Sequence, residues 1–232
     1  MKIYSSLPQV AVHDWFMSDE THGPGVQVDF HYHDMDEWLE VVKGDITFFD
    51  LSGHEYRLGA KQALRIARGE VHHVEVGSEG VDYQMWLPVT PAAGFQNMLT
   101  PDEVACLKNN LESAEREDNR NNDAASFFDE FLSNQIVFSR ADGSMVIGKK
   151  EFIDAGFKDR GRKSSGSVRV LRRTTDTLFL SAVVTVTEGS PLSFTNLKLF
   201  VREDGSLKCR MWINYPEQRE EAPPVGSGRN SR

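Results

Sequence analysis

His31 and His33 stand two residues apart in a run that reads as extended chain, and Glu37 follows four residues after His33. In a strand, side chains at i and i+2 share a face, so the two imidazoles project together. Glu37 stays on that face if the extended chain continues. A second cluster, Gly69-Glu70-Val71-His72-His73, comes later in the chain. There His72, Val74 and Val76 alternate on one face, and Val71, His73 and Glu75 on the other. The face with two valines is the more apolar, which makes His72 the inward candidate and His73 the outward one. Every histidine of the chain lies at or before position 73. Three neutral nitrogen donors and one anionic oxygen bind a divalent metal firmly while leaving positions open for water or substrate. Iron, manganese, nickel and zinc all accept such a set, as do cobalt and copper.

The surrounding sequence suits a strand-built scaffold. Val26 to Phe30, Glu40 to Val42, Ile46 to Phe49, Ala63 to Ile66, Val71 to Val76 and Tyr83 to Leu87 are short extended runs. They are separated by Gly44-Asp45, Ser52-Gly53, Gly69 and the segment Gly77 to Gly80, which read as turns. Many short strands with glycine turns predict an all-β barrel or sandwich. Pocket walls in such a scaffold are mostly apolar, and Phe30, Phe48, Met85 and Trp86 are the candidates. Tyr32, between the two histidines, points away from them by strand parity. Glu40 and His73 are expected at the surface or behind the donors.

On these residues the first part of the chain resembles the cupin superfamily. Its first motif, Gly-x5-His-x-His-x(3,4)-Glu-x6-Gly, is matched by Gly25, His31, His33, Glu37 and Gly44. Its second, Gly-x5-Pro-x-Gly-x2-His-x3-Asn, is matched by Gly69 and His72. Ala67 stands at the proline, Val76 at the asparagine, and Gly59 lies two residues upstream of the leading glycine. The resemblance spans about residues 25 to 88. It implies a jelly-roll barrel with His31, His33, Glu37 and His72 as ligands of one divalent metal.

The character of the chain changes at Thr100. Thr100-Pro101-Asp102-Glu103 combines an N-cap threonine, a proline at the first helical position and a glutamate that closes a capping box. Val104, Leu107, Leu111 and Ala114 follow at helical spacing. A polar break at Asn119 to Asp123 precedes a second helix carrying Phe127, Phe128, Phe131 and Leu132. Then come Ile136 to Phe138, a turn at Asp142-Gly143, a short helix from Lys149 to Gly156, and four strand-like runs. These are Val168 to Arg172, Thr177 to Thr187, Phe194 to Val201 and Leu207 to Ile213, the last two joined by a hairpin signal at Glu203-Asp204-Gly205. Leu207, Cys209, Met211 and Ile213 alternate with Lys208, Arg210, Trp212 and Asn214, so the first set is expected to be buried.

This order, with its paired helices, Lys150-Glu151-Phe152 and long closing strands, resembles the nuclear transport factor 2-like superfamily, which includes polyketide-cyclase-like domains. The resemblance covers about residues 100 to 216 and implies an α+β cone with a curved antiparallel sheet. Cyclase-like members use an Asp, often with a His. No histidine follows position 73, so an Asp–His pair within this half is excluded. Asp142, Asp159 and Asp176 sit in turn-like contexts and read as structural. Trp212, on the polar side of its strand, lines a pocket or packs. Lys158, Arg160, Arg162, Lys163, Arg169, Arg172 and Arg173 form a basic cluster that reads as a solvated face. The expected layout is a barrel over residues 1–95, an α+β domain over 96–216 and a disordered tail over 217–232.

A net charge of −9 argues against a nucleic-acid or anionic-membrane binder. No stretch approaches the roughly 20 apolar residues of a membrane span, and the start of the chain lacks a signal peptide's apolar core. Two cysteines far apart give no disulfide framework, so the default location is the cytoplasm. The leading expectation is a mononuclear metal enzyme acting on a small organic molecule by oxygenation, isomerisation or cyclisation. The alternative is a small-molecule-binding or sensing module without turnover, its second half serving dimerisation; a pure scaffold is the third. A homodimer is expected, because both folds present a sheet face that is usually covered.

Overall fold

The computed structural model describes residues 1–90, 96–116, 123–155, 163–186 and 192–216. The tail from 217, the residues Lys158, Asp159, Arg160 and Arg162, and most of the break at Asn119 to Asp123 lie outside the described residues. Among the described residues no helix is long and apolar enough to cross a membrane.

Residues before position 99 build one sheet of eight antiparallel strands. These are β1 (Lys2–Tyr4), β2 (Phe16–His22), β3 (Gln27–His33), β4 (Glu37–Asp50), β5 (Glu55–Gly59), β6 (Ala63–Ile66), β7 (His72–Leu87) and β8 (Gln96–Met98). Their order is β1-β6-β4-β7-β3-β8, with β2 also on β7 and β5 on β4, and the sheet curls into a half-barrel. Leu39, Val41, Ile46, Phe48, Leu58, Leu64, Ile66, Val74, Val76 and Val81 fill one apolar cluster within it.

Two glycine signals act differently from the expected turns. β4 and β7 run straight through Gly44 and Gly80 as strands of 14 and 16 residues. Gly44 and Gly80 have φ of 81° and 77°, and the ladder shifts register around Val41/Lys43 and Gly44/Ile46. A Cβ on Gly44 would lie 2.0 Å from the Gly80 carbonyl oxygen. Glycine here lets two bulged strands bend together without unpairing, which is how a flat ladder becomes a half-barrel.

The rest of the chain contributes α1 (Pro101–Arg116), α2 (Asp123–Phe131), β9 (Leu132–Ser139), β10 (Met145–Ile147), α3 (Lys149–Asp154), β11 (Lys163–Arg173), β12 (Thr177–Val186), β13 (Leu192–Glu203) and β14 (Ser206–Pro216). The six strands are ordered β10-β9-β14-β13-β12-β11, antiparallel except for the β14–β9 pair. The capping box forms as expected: Glu103 Oε2 accepts from the Thr100 amide at 2.8 Å and from its hydroxyl at 3.0 Å. Asp204 and Gly205, at φ 50° and 82°, make the β13–β14 hairpin turn.

The alternation expected along β14 breaks at Arg210. Phe200 pairs with Cys209 while Leu199 pairs with Met211, so Arg210 is an extra residue. This bulge shifts parity by one, putting both Cys209 and Trp212 in the core, while Met211 and Ile213 are half-buried. Trp212 is 1% exposed and sits among Phe128, Phe131, Phe138 and Phe152. The residue expected on the polar side is therefore a centre of the second core.

The two sheets meet at one seam. Tyr32, Leu51 and Val71 from the first sheet join the apolar cluster that holds Phe128 and Trp212. The Val71 amide donates to the Val168 carbonyl at 3.1 Å, and the Val170 amide to the Gly69 carbonyl at 2.7 Å. Arg173 bridges the same seam, with Nε 2.6 Å from Glu103 Oε1 and Nη1 2.9 Å from the Met98 carbonyl.

Candidate metal centre

β3 places His31 and His33 on one face, and pairing with β7 sets His31 directly opposite His72. The Gly69 amide donates to the His33 carbonyl at 2.8 Å, which fixes the loop leading into His72. The three rings converge, with centroid separations of 5.0 Å (His31–His33), 4.3 Å (His31–His72) and 5.2 Å (His33–His72). One ligand nitrogen from each lies within 4.8 Å of the others, and all three residues are buried. This is the only such group among the described residues.

The ring orientations are set by the backbone. His31 Nδ1 is 2.8 Å from the Asp29 carbonyl and His72 Nδ1 is 2.9 Å from the Glu70 carbonyl. A carbonyl can only accept, so each Nδ1 carries the hydrogen and each Nε2 is the lone-pair nitrogen. His72 Nε2 is buried with no hydrogen-bond partner among the described residues. Leaving a buried polar atom unpaired costs roughly 1–3 kcal/mol, so the site retains a donor that the fold alone does not use.

Burial favours the neutral form of His31 and His72. It lowers the His31 pKa to about 4, helped by His33, and lowers His72 well below the ordinary histidine value, helped by His31 and His33. Neutral imidazole is the form that ligates a metal. Glu37, on the first residue of β4, is equally buried and its Oε2 contacts His33 Nδ1. Three converging buried imidazoles are a donor set that a divalent cation accepts, so His31, His33 and His72 fit such an ion; Glu37 lies beside that group, against His33, and is not one of the three.

The candidate walls divide by strand parity. Phe48 packs in the apolar cluster of the half-barrel with its ring 5.7 Å from His72. Met85 is buried opposite Leu39, two residues along β4 from Glu37. Phe30 neighbours His31 in the strand and so faces the other way, 5.2 Å from the His73 ring and below Lys108. Trp86 packs with Trp38, Leu7 and Val12 on the outer side of its strand. Tyr32 also turns away, into a cleft of about 640 Å³ lined by Asn97, Glu103, Arg173 and Arg202. His73 stacks on Phe49 at 4.7 Å, and Glu40 accepts from the Leu7 amide. Of the basic cluster, Arg169 and Arg172 are exposed, while Arg173 is held by Glu103.

No protein-family model matches the sequence, and no curated protein matches it. Solved structures match part of the chain. A protein with a double-stranded β-helix domain from Klebsiella pneumoniae is 19% identical over 32% of this chain and 67% of its own, with a TM-score of 0.30. A cupin-2 domain-containing protein from Shewanella frigidimarina is 21% identical over 33% of this chain and 72% of its own, with a TM-score of 0.29. The polyketide cyclase RemF from Streptomyces resistomycificus is 17% identical over 40% of this chain and 68% of its own, with a TM-score of 0.32.

Proposed function

We propose that this protein is a mononuclear metal-dependent enzyme of cupin type, acting on a small organic molecule that presents a carbonyl, enol or aromatic oxygen. The observation that carries this reading is the convergence of three buried imidazoles, with an unpartnered His72 nitrogen, beside a buried carboxylate. His31, His33 and His72 supply the nitrogen donors and Glu37 the anionic oxygen. A bound divalent ion would polarise a substrate oxygen or, as iron, give access to dioxygen chemistry. The Asp29 and Glu70 carbonyls hold two of the rings in the ligating tautomer. Phe48, Leu39 and Met85 keep the surroundings apolar and dry, which strengthens each electrostatic contact made there. In this reading residues 1–95 form the jelly-roll barrel. Residues 96–216 form a nuclear transport factor 2-like domain that supports it and pairs two copies of the chain.

The test is to strip the protein with a chelator and reload it separately with Fe(II), Mn(II), Ni(II) and Zn(II). Each form is then incubated with a panel of small hydroxy-carbonyl and phenolic compounds, following oxygen uptake and product mass. Turnover restored by one metal and lost in His33→Ala is expected. Compounds that bind the loaded protein and are recovered unchanged would make it a binding module. Turnover that survives metal removal would overturn the proposal.

A further inference from the structure

The apolar lining of the half-barrel is interrupted on its β2–β7 side. Cross-strand pairing sets Leu39, Met85 and Ser18 in one row and Val41, Tyr83 and Glu20 in the next. Directly paired residues point to the same side of a sheet, and Glu37 opens that face of β4 two residues before Leu39. Along β2, Ser18, Glu20 and His22 are half-buried while Met17, Asp19 and Thr21 are exposed, so the first set turns inward. Tyr83 packs against the cluster containing Leu39 and Val41, and its hydroxyl lies 2.9 Å from His22 Nε2. Ser18 Oγ is buried and makes no hydrogen bond among the described residues.

We propose that Tyr83 and Ser18 are the substrate-positioning hydroxyls of the metal centre, holding one oxygen of a small hydroxy-carbonyl or enolic compound whose other oxygen lies at the histidines. This rests on the metal reading above. In the tautomer with hydrogen on Nε2, His22 donates to the phenol oxygen, which frees the Tyr83 hydrogen to point into the half-barrel. Burial, with the Glu37 and Glu20 carboxylates, pushes the Tyr83 phenol up, so it remains a neutral donor. A neutral O–H aimed at an oxygen that gains charge stabilises that charge without a proton changing hands. Ser18, one row nearer Glu37, adds a second donor and satisfies a hydroxyl that otherwise has no partner. The pair selects compounds with two oxygens over those with one, because an apolar group there would leave both hydroxyls unpaired.

The test uses the full chain loaded with cobalt(II), titrated with hydroxyacetone and followed by the visible cobalt bands. Wild type is compared with Tyr83→Phe, Ser18→Ala and the volume-conserving control Met17→Leu, on the outward face of β2, with cobalt content measured for each. Equal cobalt in all four is expected, with hydroxyacetone held roughly ten-fold more weakly by Tyr83→Phe, a few-fold more weakly by Ser18→Ala, and unchanged in Met17→Leu. If Tyr83→Phe does not fold, Ser18→Ala decides. Equal hydroxyacetone affinity across the cobalt-bound variants overturns the positioning role alone. A wild type that takes up no cobalt overturns the metal reading and this one with it.

Discussion

The two sheets bury polar groups in opposite ways. In the second, Lys198 is buried yet donates to Ser113 Oγ at 2.7 Å and lies 3.7 Å above the Trp212 ring. Asn214 Oδ1 accepts from both Asn196 and Trp212 at 2.9 Å. Only Asn110 Oδ1 is buried there without a hydrogen bond among the described residues. In the first sheet, three imidazoles and a carboxylate crowd together, with the His72 nitrogen facing its neighbours and bonded to none. Buried polar groups that close on one another specify a fold; those left open toward a common point specify a ligand. The second sheet thus closes most of its buried polar groups on one another, the first leaves the His72 nitrogen open toward its neighbours, and the seam through Gly69 joins them.

The largest separation of the two should come from Phe128→Ala, which empties the aromatic centre of the second core. A loss of about 3–5 kcal/mol in urea unfolding is expected, with metal per chain unchanged in the protein that remains folded. A parallel loss of metal would mean the two sheets do not divide the work as described.

Gly69→Ala strikes the seam itself. Gly69 has φ 74°, and a Cβ would lie 2.3 Å from the Val170 carbonyl oxygen. The left-handed backbone alone costs a non-glycine residue roughly 1–3 kcal/mol. Because the same loop positions His72, both stability and metal affinity should fall, read by urea unfolding and by competition with a chromogenic chelator. Loss of stability with full metal affinity would show that β11 does not help to place His72.

Acidification charges two histidines of the first sheet. His31 and His72 have folded pKa values below the 6.5 of the unfolded chain, that of His31 being about 4. Between those limits the unfolded chain binds the protons that the folded one refuses. Stability of the metal-free protein is therefore greatest above pH 6.5 and falls toward pH 4, by roughly 1.4 kcal/mol per pH unit for each histidine. His72→Gln, measured by urea unfolding across this range, should flatten the slope. An unchanged slope would place the titration elsewhere.

Much of the candidate site was legible because it is local. A period of two puts His31 and His33 together in any strand, and the alternation of Val74 and Val76 turns His72 inward. Capping chemistry marked α1, and positive-φ residues marked the β13–β14 turn. What escaped depends on pairing. Gly44 and Gly80 read as turns because a glycine that ends a strand and one that bulges it look alike until the partner strand is known. Arg210 carries no mark of being the extra residue, so Trp212 was assigned to the wrong side. Ser18 and Tyr83 lie far apart in the chain and meet only when β2 pairs with β7. β2 itself is polar on both faces, with Ser18, Glu20 and His22 inward and Asp19 and Thr21 outward, so no apolar alternation marks it.

The central claim is tested most directly by elemental analysis of the purified protein beside His33→Ala and Glu37→Ala. About one metal ion per chain in the wild type, lost or strongly depleted in both variants, is the predicted result. A wild type that holds no metal after reconstitution, or variants that keep it in full, would contradict the account.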